Sequence, residues 1–209
     1  MDEKLIQILE HTQTLFQKYG IRSLTMSDIA RENMVSKKTL YNYVSDKADL
    51  VEQVLHRHFF VNKGCIDAVT KDAKNAVEEV FELQRMLVQI IKEHNPSVEF
   101  DLTKYYPQIF HKLMIEKSRE LYKGIKHNIL RGQEEKLYRA DVDADLVAKS
   151  RVIFQTQRVD NEVVSFKDFT NTYALKQMML YHMRAICTAE GLEIVEREIQ
   201  DFNEDENED

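Results

Sequence analysis

The chain has 209 residues, 43% of them hydrophobic, with only 5 glycines and 2 prolines. That is enough apolar material for a packed core and too few breakers for a loop-rich or β-rich fold, so an all-α protein is expected. The net charge of -7 argues against a polyanionic partner only until it is divided along the chain. Residues 1–60 balance at 0, residues 61–189 carry +2, and residues 190–209 carry -9. The acidity therefore belongs to a C-terminal tail, and screening over about 8 Å keeps it from opposing a distant basic patch.

No apolar run approaches the roughly 18 residues of a membrane span. The N-terminal Met-Asp-Glu-Lys lacks the pattern of a signal peptide. Cys65 and Cys187 stand alone, which fits a reducing cytoplasm better than a disulfide scaffold. A cytoplasmic location with no membrane partner is expected.

In chain order, residues 3–19 read as an amphipathic helix with Leu5, Ile8, Leu9, Thr12, Leu15, Phe16 and Tyr19 at helical spacing, stopped by Gly20. Thr25 starts a second helix, with Asp28 three residues on completing a capping box. Asn33 and Met34 make a turn, and Ser36 caps a third helix over 37–43 with Leu40 inward. Ser45 caps a fourth, with Asp46 and Asp49 in its first turn.

After Gly64 the pattern changes, and 67–94 reads as one long helix. Asn95-Pro96-Ser97 breaks it, with Ser97 capping a short helix to about 105. Pro107 opens a helix to about Arg131, with Gly132 near its end. Asp141 or Asp143 begins the next. A polar stretch over 157–165, a helix over 166–189 and an amphipathic piece over 192–202 follow. The composition of 203–209 predicts a disordered tail.

Two short helices joined by a tight turn, the second opening on Lys37 and Lys38, have the layout of a helix-turn-helix that reads a DNA major groove. Lys37 and Lys38 are placed to reach base edges or phosphates. Thr25 offers its hydroxyl or the free amides of a helix N-terminus to a phosphate. Ser36, Thr39, Tyr41, Asn42 and Tyr43 complete the polar set. The plainer alternative for each is a solvated helix face.

The stretch Thr25-x-x-Asp28-Ile29-Ala30, then Val35-Ser36-x-x-Thr39-Leu40-Tyr41-x-Tyr43, then Lys47-x-x-Leu50 resembles the DNA-binding domain of TetR/AcrR-type transcriptional regulators. Twelve positions agree across 26 residues. Beyond residue 60 only the helical architecture is similar. Met34 departs from the family's turn glycine, and a positive φ is costly for Met, so a differently shaped turn or a role for Asn33 is expected. Val44 replaces the usual Phe, a loss of core volume that other apolar side chains must fill.

The resemblance implies an N-terminal three-helix helix-turn-helix DNA-binding domain over 1–46. A C-terminal helical ligand-binding and dimerisation domain over 47–202 and an acidic tail over 203–209 complete the chain. It implies that Tyr41 and Tyr43 meet phosphates and sugars with Thr39 beside them, and that Lys47 is a phosphate clamp. It also implies a homodimer on a pseudo-palindromic double-stranded operator, with half-sites about 34 Å apart. The expected function is a repressor released by a small-molecule effector. A helical adaptor that keeps the fold without regulated DNA binding is the alternative.

The segment 166–189 nearly encircles its helix with apolar residues, so it needs burial on two fronts. Phe169, Tyr173, Met178, Tyr181 and Ala185 are candidate dimer contacts, against a central core helix of a monomer. Gln84, Arg85, Phe100, Tyr105, Tyr106, Phe110, Tyr122 and Phe154 are candidates for an effector pocket, against simple core packing.

No cofactor, metal or enzymatic site is expected. His56 and His58 are two apart and diverge on a helix, and no His-Glu-x-x-His occurs. Asp141, Asp143 and Asp145 mimic a calcium loop, but Leu146 and Val152 stand where Gly and Glu are required. No nucleophile elbow or phosphate-binding glycine loop is present.

Overall fold

A computed structural model describes residues 2–92, 95–156 and 171–205. The polar stretch 157–165, the start of the helix over 166–189 with Phe169, and residues 206–209 lie outside the described residues. Every regular element described is helical: α1 (Glu3–Tyr19), α2 (Met26–Glu32), α3 (Lys37–Tyr41), α4 (Lys47–Asp72), α5 (Ala76–Lys92), α6 (Pro96–Tyr105), α7 (Pro107–Glu134), α8 (Ala144–Thr156), α9 (Thr172–Ile186) and α10 (Ala189–Asp205). Tyr138 and Cys187 form an isolated antiparallel bridge.

Contacts divide the chain into two units, one of residues 1–65 with 93–117, the other of residues 66–92 with 118–209. In the first, the periodic residues of α1 bury Ile8, Leu9, Leu15 and Phe16 against Ile29, Leu40, Val44, Leu50, Val51 and Val54. Val98, Leu102 and Leu113, from α6 and α7, join the same core. The same core takes in Leu50, Val51 and Val54 at the start of α4.

The second unit packs Ala76, Val77, Phe81 and Val88 of α5 with Met179, Leu180, Met183 and Ile186 of α9, and with Ile129, Tyr138 and Val195. Gly132, near the end of α7, lies under Tyr138, and a Cβ there would sit 2.1 Å from the ring.

Several boundaries differ from the sequence expectations, each for a local reason. α4 continues through Gly64 to Asp72, since one interior glycine costs only about 1 kcal/mol. The break falls at 73–75 instead. There Asn75 Oδ1 accepts from the amides of Val77 and Glu78 and starts α5. Arg131 donates to the carbonyls of Thr70 and Ala73 at the end of α4 (3.4 and 2.9 Å), and to Glu79 and Glu135 at 3.1 and 2.7 Å.

Asp46, not Ser45, caps α4, accepting from the Asp49 amide at 2.9 Å. Ser45 instead donates its own amide to Asp49 at 2.8 Å. Asn95, not Ser97, caps α6, with Pro96 in its first turn. Asp143 caps α8 through the amides of Asp145 and Leu146. α3 ends at Tyr41 rather than 43. α10 runs from 189 to 205, so 203–205 are helical, where the sequence predicted disorder for 203–209.

Candidate nucleic-acid interface

The second helix is fixed at its start by a closed capping box. Thr25 Oγ1 accepts the Asp28 amide at 3.1 Å and donates to Asp28 Oδ2 at 2.6 Å, and Asp28 Oδ2 accepts the Thr25 amide at 3.1 Å. These bonds from Thr25, aided by Arg31, hold the Asp28 carboxyl below the usual carboxylate range.

The turn is built on Asn33, whose buried Nδ2 donates to the Ile29 carbonyl at 2.8 Å and to Thr12 Oγ1 of α1 at 3.2 Å. Met34 then takes the left-handed conformation itself (φ 52°), while Asn33 keeps φ -81°. The glycine's backbone shape is thus retained without the glycine. Asn33 is committed to its buried bonds, whereas Met34 is 91% exposed and its side chain meets no packing obstacle. Only the backbone strain remains.

Ser36 caps α3 by accepting the Thr39 amide at 2.9 Å, and the two hydroxyls lie 2.7 Å apart. Leu40 is fully buried in the first core, so the helix is oriented by one side chain. Lys37, Lys38 and Asn42 are exposed, Thr39 is half-buried, and Lys37 Nζ stands 5.9 Å from the Tyr41 ring centroid. Tyr41 projects to the surface. Tyr43 is half-buried and donates to Asp2 at 3.3 Å; burial and the Asp2 charge raise its hydroxyl above the ordinary tyrosine range. Val44 is buried with Leu40 and Leu50.

Lys47 is half-buried at the start of α4. Its Nζ donates to the carbonyls of Ile21 and Leu24, at 2.7 and 2.5 Å, on the loop that leads into α2. Burial pulls its protonation below the usual lysine range, opposed by the Asp101 carboxylate. Two of its three donors are therefore spent inside the protein.

Sequence reasoning missed the other holder of this loop. Asp101 of α6 accepts the Arg22 amide at 2.7 Å, and the Arg22 guanidinium lies 4.4 Å from the Tyr105 ring and donates to its hydroxyl. Seventy-nine residues separate Arg22 from Asp101, and no local pattern marks the pair.

The eight effector candidates fall into both units. In the first, Phe100 is 56% exposed beneath Lys104, Tyr105 is engaged by Arg22, and Tyr106 and Phe110 pack against the core. In the second, Gln84 is buried, Arg85 donates to Glu82 and Glu198, Tyr122 donates to Asp145, and Phe154 is exposed. Of the dimer candidates, Tyr173 and Tyr181 are 71% and 61% exposed, Ala185 is exposed and Met178 half-buried.

Among the described residues, no helix is long and apolar enough to cross a membrane, and no group of His, Cys, Asp and Glu is placed to hold a metal.

A capped, five-residue polar helix seated on a core by Leu40, preceded by a second capped helix and a tight turn, is a helix-turn-helix. Residues 8–54 match the family model described as bacterial regulatory proteins, tetR family. A curated relative from Haemophilus influenzae, an uncharacterized HTH-type transcriptional regulator, is 27% identical over 99 residues. That match covers 47% of this chain and about half (52%) of the relative.

The fold is similar to that of a transcriptional regulator from Cytophaga hutchinsonii (TM-score 0.74, 19% identity). It is also similar to that of a TetR transcription regulator from Haloarcula marismortui (0.71, 18%). Each comparison covers 90% of this chain and 100% of the other. A structure from Saccharomonospora viridis, a transcriptional regulator in complex with choline, is similar over the same shares (0.65, 20%). Residues 8–54 thus carry a helix-turn-helix module matching that family model, and the chain has a fold similar to that of these regulators.

Proposed function

We propose that this protein acts in the cytoplasm as a homodimeric transcriptional repressor. It binds a pseudo-palindromic double-stranded operator through α3 and is released by a small-molecule effector. The observation that carries the reading is the two-sided character of α3: Leu40 fully buried, with Lys37, Lys38, Tyr41 and Asn42 exposed. The exposed side offers cations and amide and hydroxyl groups to phosphates and base edges. Thr25, Ser36, Thr39 and Tyr43 supply its framing contacts, and Lys47 holds the loop before Thr25 with one N–H left for a phosphate.

Dimerisation is supported by α9. Its Met179, Leu180, Met183 and Ile186 are buried within the unit, while Tyr173 and Tyr181 stand exposed. On α8, Leu146, Ile153 and Phe154 are exposed as well. Large apolar groups exposed in this number on one unit suit an interface. In the DNA-binding reading the module comprises residues 1–46 and the effector and dimer functions lie in 47–202.

Selection of bound sites from random DNA by the full chain tests the whole reading. Enrichment of a two-fold symmetric site, with affinity falling steeply in salt, is the expected result. Recovery of no preferred sequence, or of asymmetric single half-sites, would overturn it. An effector must favour the form that fits DNA poorly, so effector and operator weaken each other reciprocally.

A further inference from the structure

The turn between α2 and α3 carries a cost that the folded chain does not recover. Met34 holds the left-handed conformation at φ 52°, which is unfavourable for any residue with a Cβ. Its side chain is 91% exposed, more than any other large apolar residue described. It is not among the described residues that pack on the first core. The Met34 amide donates to the Arg31 carbonyl at 2.9 Å, and a glycine would make the same bond without the strain.

Single exposed apolar residues are ordinary. Full exposure joined to a strained backbone is not, and an outlier of that kind points to function.

The backbone that presents Met34 is fixed on both sides. Asn33 is tied by its buried amide group to Ile29 and Thr12, and the Val35 amide donates to the Ala30 carbonyl at 3.0 Å. Two residues after Met34, Ser36 caps α3, and the exposed Lys37 and Lys38 follow. In a helix-turn-helix, the N-terminal residues of the second helix are the ones that meet base edges. Met34 is therefore continuous with the DNA-facing surface. Lysines and hydroxyls answer phosphates and polar base edges. A duplex also offers apolar surface, in the C5-methyl of thymine and the CH groups of deoxyribose. A flexible, polarizable thioether adapts to either.

We propose that Met34 is a DNA contact that packs on this apolar surface of the operator, a thymine methyl or a deoxyribose edge, next to the contacts of Lys37 and Lys38. The proposal rests on the DNA-binding reading above and adds to it an apolar contact from the turn.

The test measures operator affinity and the urea midpoint of the full chain with Met34 replaced by Ala, Gly, Leu and Gln, on the site that the parent selects. Ala keeps the left-handed backbone and removes the thioether, whereas Gly removes both. Met34→Ala and Met34→Gly should each weaken operator binding about three- to ten-fold, the scale of partly burying one apolar side chain. Met34→Gly should do so while raising the urea midpoint. Met34→Leu should retain most of the parental affinity, and Met34→Gln should not. Replacing each thymine of the site by uracil then locates the surface. If a methyl is the partner, one uracil weakens the parent and weakens Met34→Ala no further. If a sugar is the partner, no uracil shows this coupling and the loss in Met34→Ala persists.

Parental affinity in Met34→Ala and Met34→Gly, or in Met34→Gln, would overturn the contact. Equal losses in Met34→Leu and Met34→Gln would do the same. So would a lowered urea midpoint for Met34→Gly, which would assign the side chain to the fold. All of these outcomes leave the regulatory reading untouched. A parent chain that selects no site would sink that reading first, and the operator contact with it.

Discussion

Replacing Lys47 with Met keeps the aliphatic stem and removes the ammonium. Two charge-assisted hydrogen bonds disappear, to the carbonyls of Ile21 and Leu24. Bonds to charged groups contribute about 1.5–3 kcal/mol each when buried. Lys47 is only half-buried, so water replaces part of what is lost, and about 2–3 kcal/mol in total is the reasonable magnitude. For a chain of this length each kcal/mol shifts the melting midpoint by about 2–4 °C, so Lys47→Met should melt about 5–10 °C lower than the parent.

The DNA consequence has a distinctive signature. A lysine whose main work is on a phosphate contributes about 0.9 to the slope of log affinity against log salt. A lysine that spends two of its three donors on the loop before α2 acts by placing Thr25 and the N-terminus of that helix. Lys47→Met should therefore weaken operator binding about ten-fold, roughly equally for all sequences, with a slope change well below one. Lys38→Ala, at an exposed position, should leave the midpoint within about 2 °C, an exposed site lying within about 0.5 kcal/mol, and should reduce the slope or alter base preference. Melting by circular dichroism and binding at two or three salt concentrations decide the matter. A Lys47→Met protein with the parental midpoint and a slope lower by about one would refute the anchoring argument and restore a simple phosphate clamp.

Met34→Gly should stabilise the protein by about 0.5–1 kcal/mol, since it relieves a left-handed Met and gives up almost no packing; a lowered urea midpoint would contradict this. Gly132→Ala should cost about 1–3 kcal/mol, because its methyl collides with the Tyr138 ring, and chemical denaturation measures it. His182 titrates near 4 when folded against about 6.5 when unfolded. Its neutral form thus contributes stability that is fully present above about 6.5 and is lost as pH falls towards 4, with a slope of up to about 1.4 kcal/mol per pH unit. Urea midpoints at pH 7, 5.5 and 4.5 should fall less steeply for His182→Gln than for the parent, and parallel curves would count against the buried imidazole. The Cys187 thiol is buried and pushed up to about 12, so alkylation of the native chain at pH 8 should stop at the exposed Cys65, as mass spectrometry would show.

What the sequence made legible follows from how local each cause is. The helix-turn-helix was readable because a cap and its partner lie three residues apart, as in Thr25 with Asp28 and Ser36 with Thr39. Boundaries shift by one or two residues from the sequence expectation where neighbouring side chains compete for the same chemistry. Ser45 and Asp46 both cap well, as do Asn95 and Ser97, and only the backbone conformation selects between them. Gly64 suggests a boundary because glycine is a weak helix former, yet the break at 73–75 depends on Arg131, some sixty positions away. Most of the effector candidates rest on aromaticity near Pro96 and Pro107, and aromaticity alone does not say which side of α6 a residue occupies. Phe100 and Tyr105 are engaged by Lys104 and Arg22 at the surface.

The shortness of α3 gives these non-local ties their weight. A helix of five residues is far below the length at which a helix sustains itself in water, so α3 has no intrinsic stability with which to hold Lys37, Lys38, Tyr41 and Asn42 in register. Its geometry is borrowed from Leu40 in the core, from the Ser36 cap, and from Asn33, which ties the turn to Thr12 of α1. The start of α2 is borrowed in the same way, from Lys47 of α4 and Asp101 of α6 acting on residues 21–24. Substitutions at Asn33, Lys47 or Asp101 should therefore weaken DNA binding about as much as substitutions at the exposed polar residues. The two groups separate by stability, which falls for the first set and holds for the second.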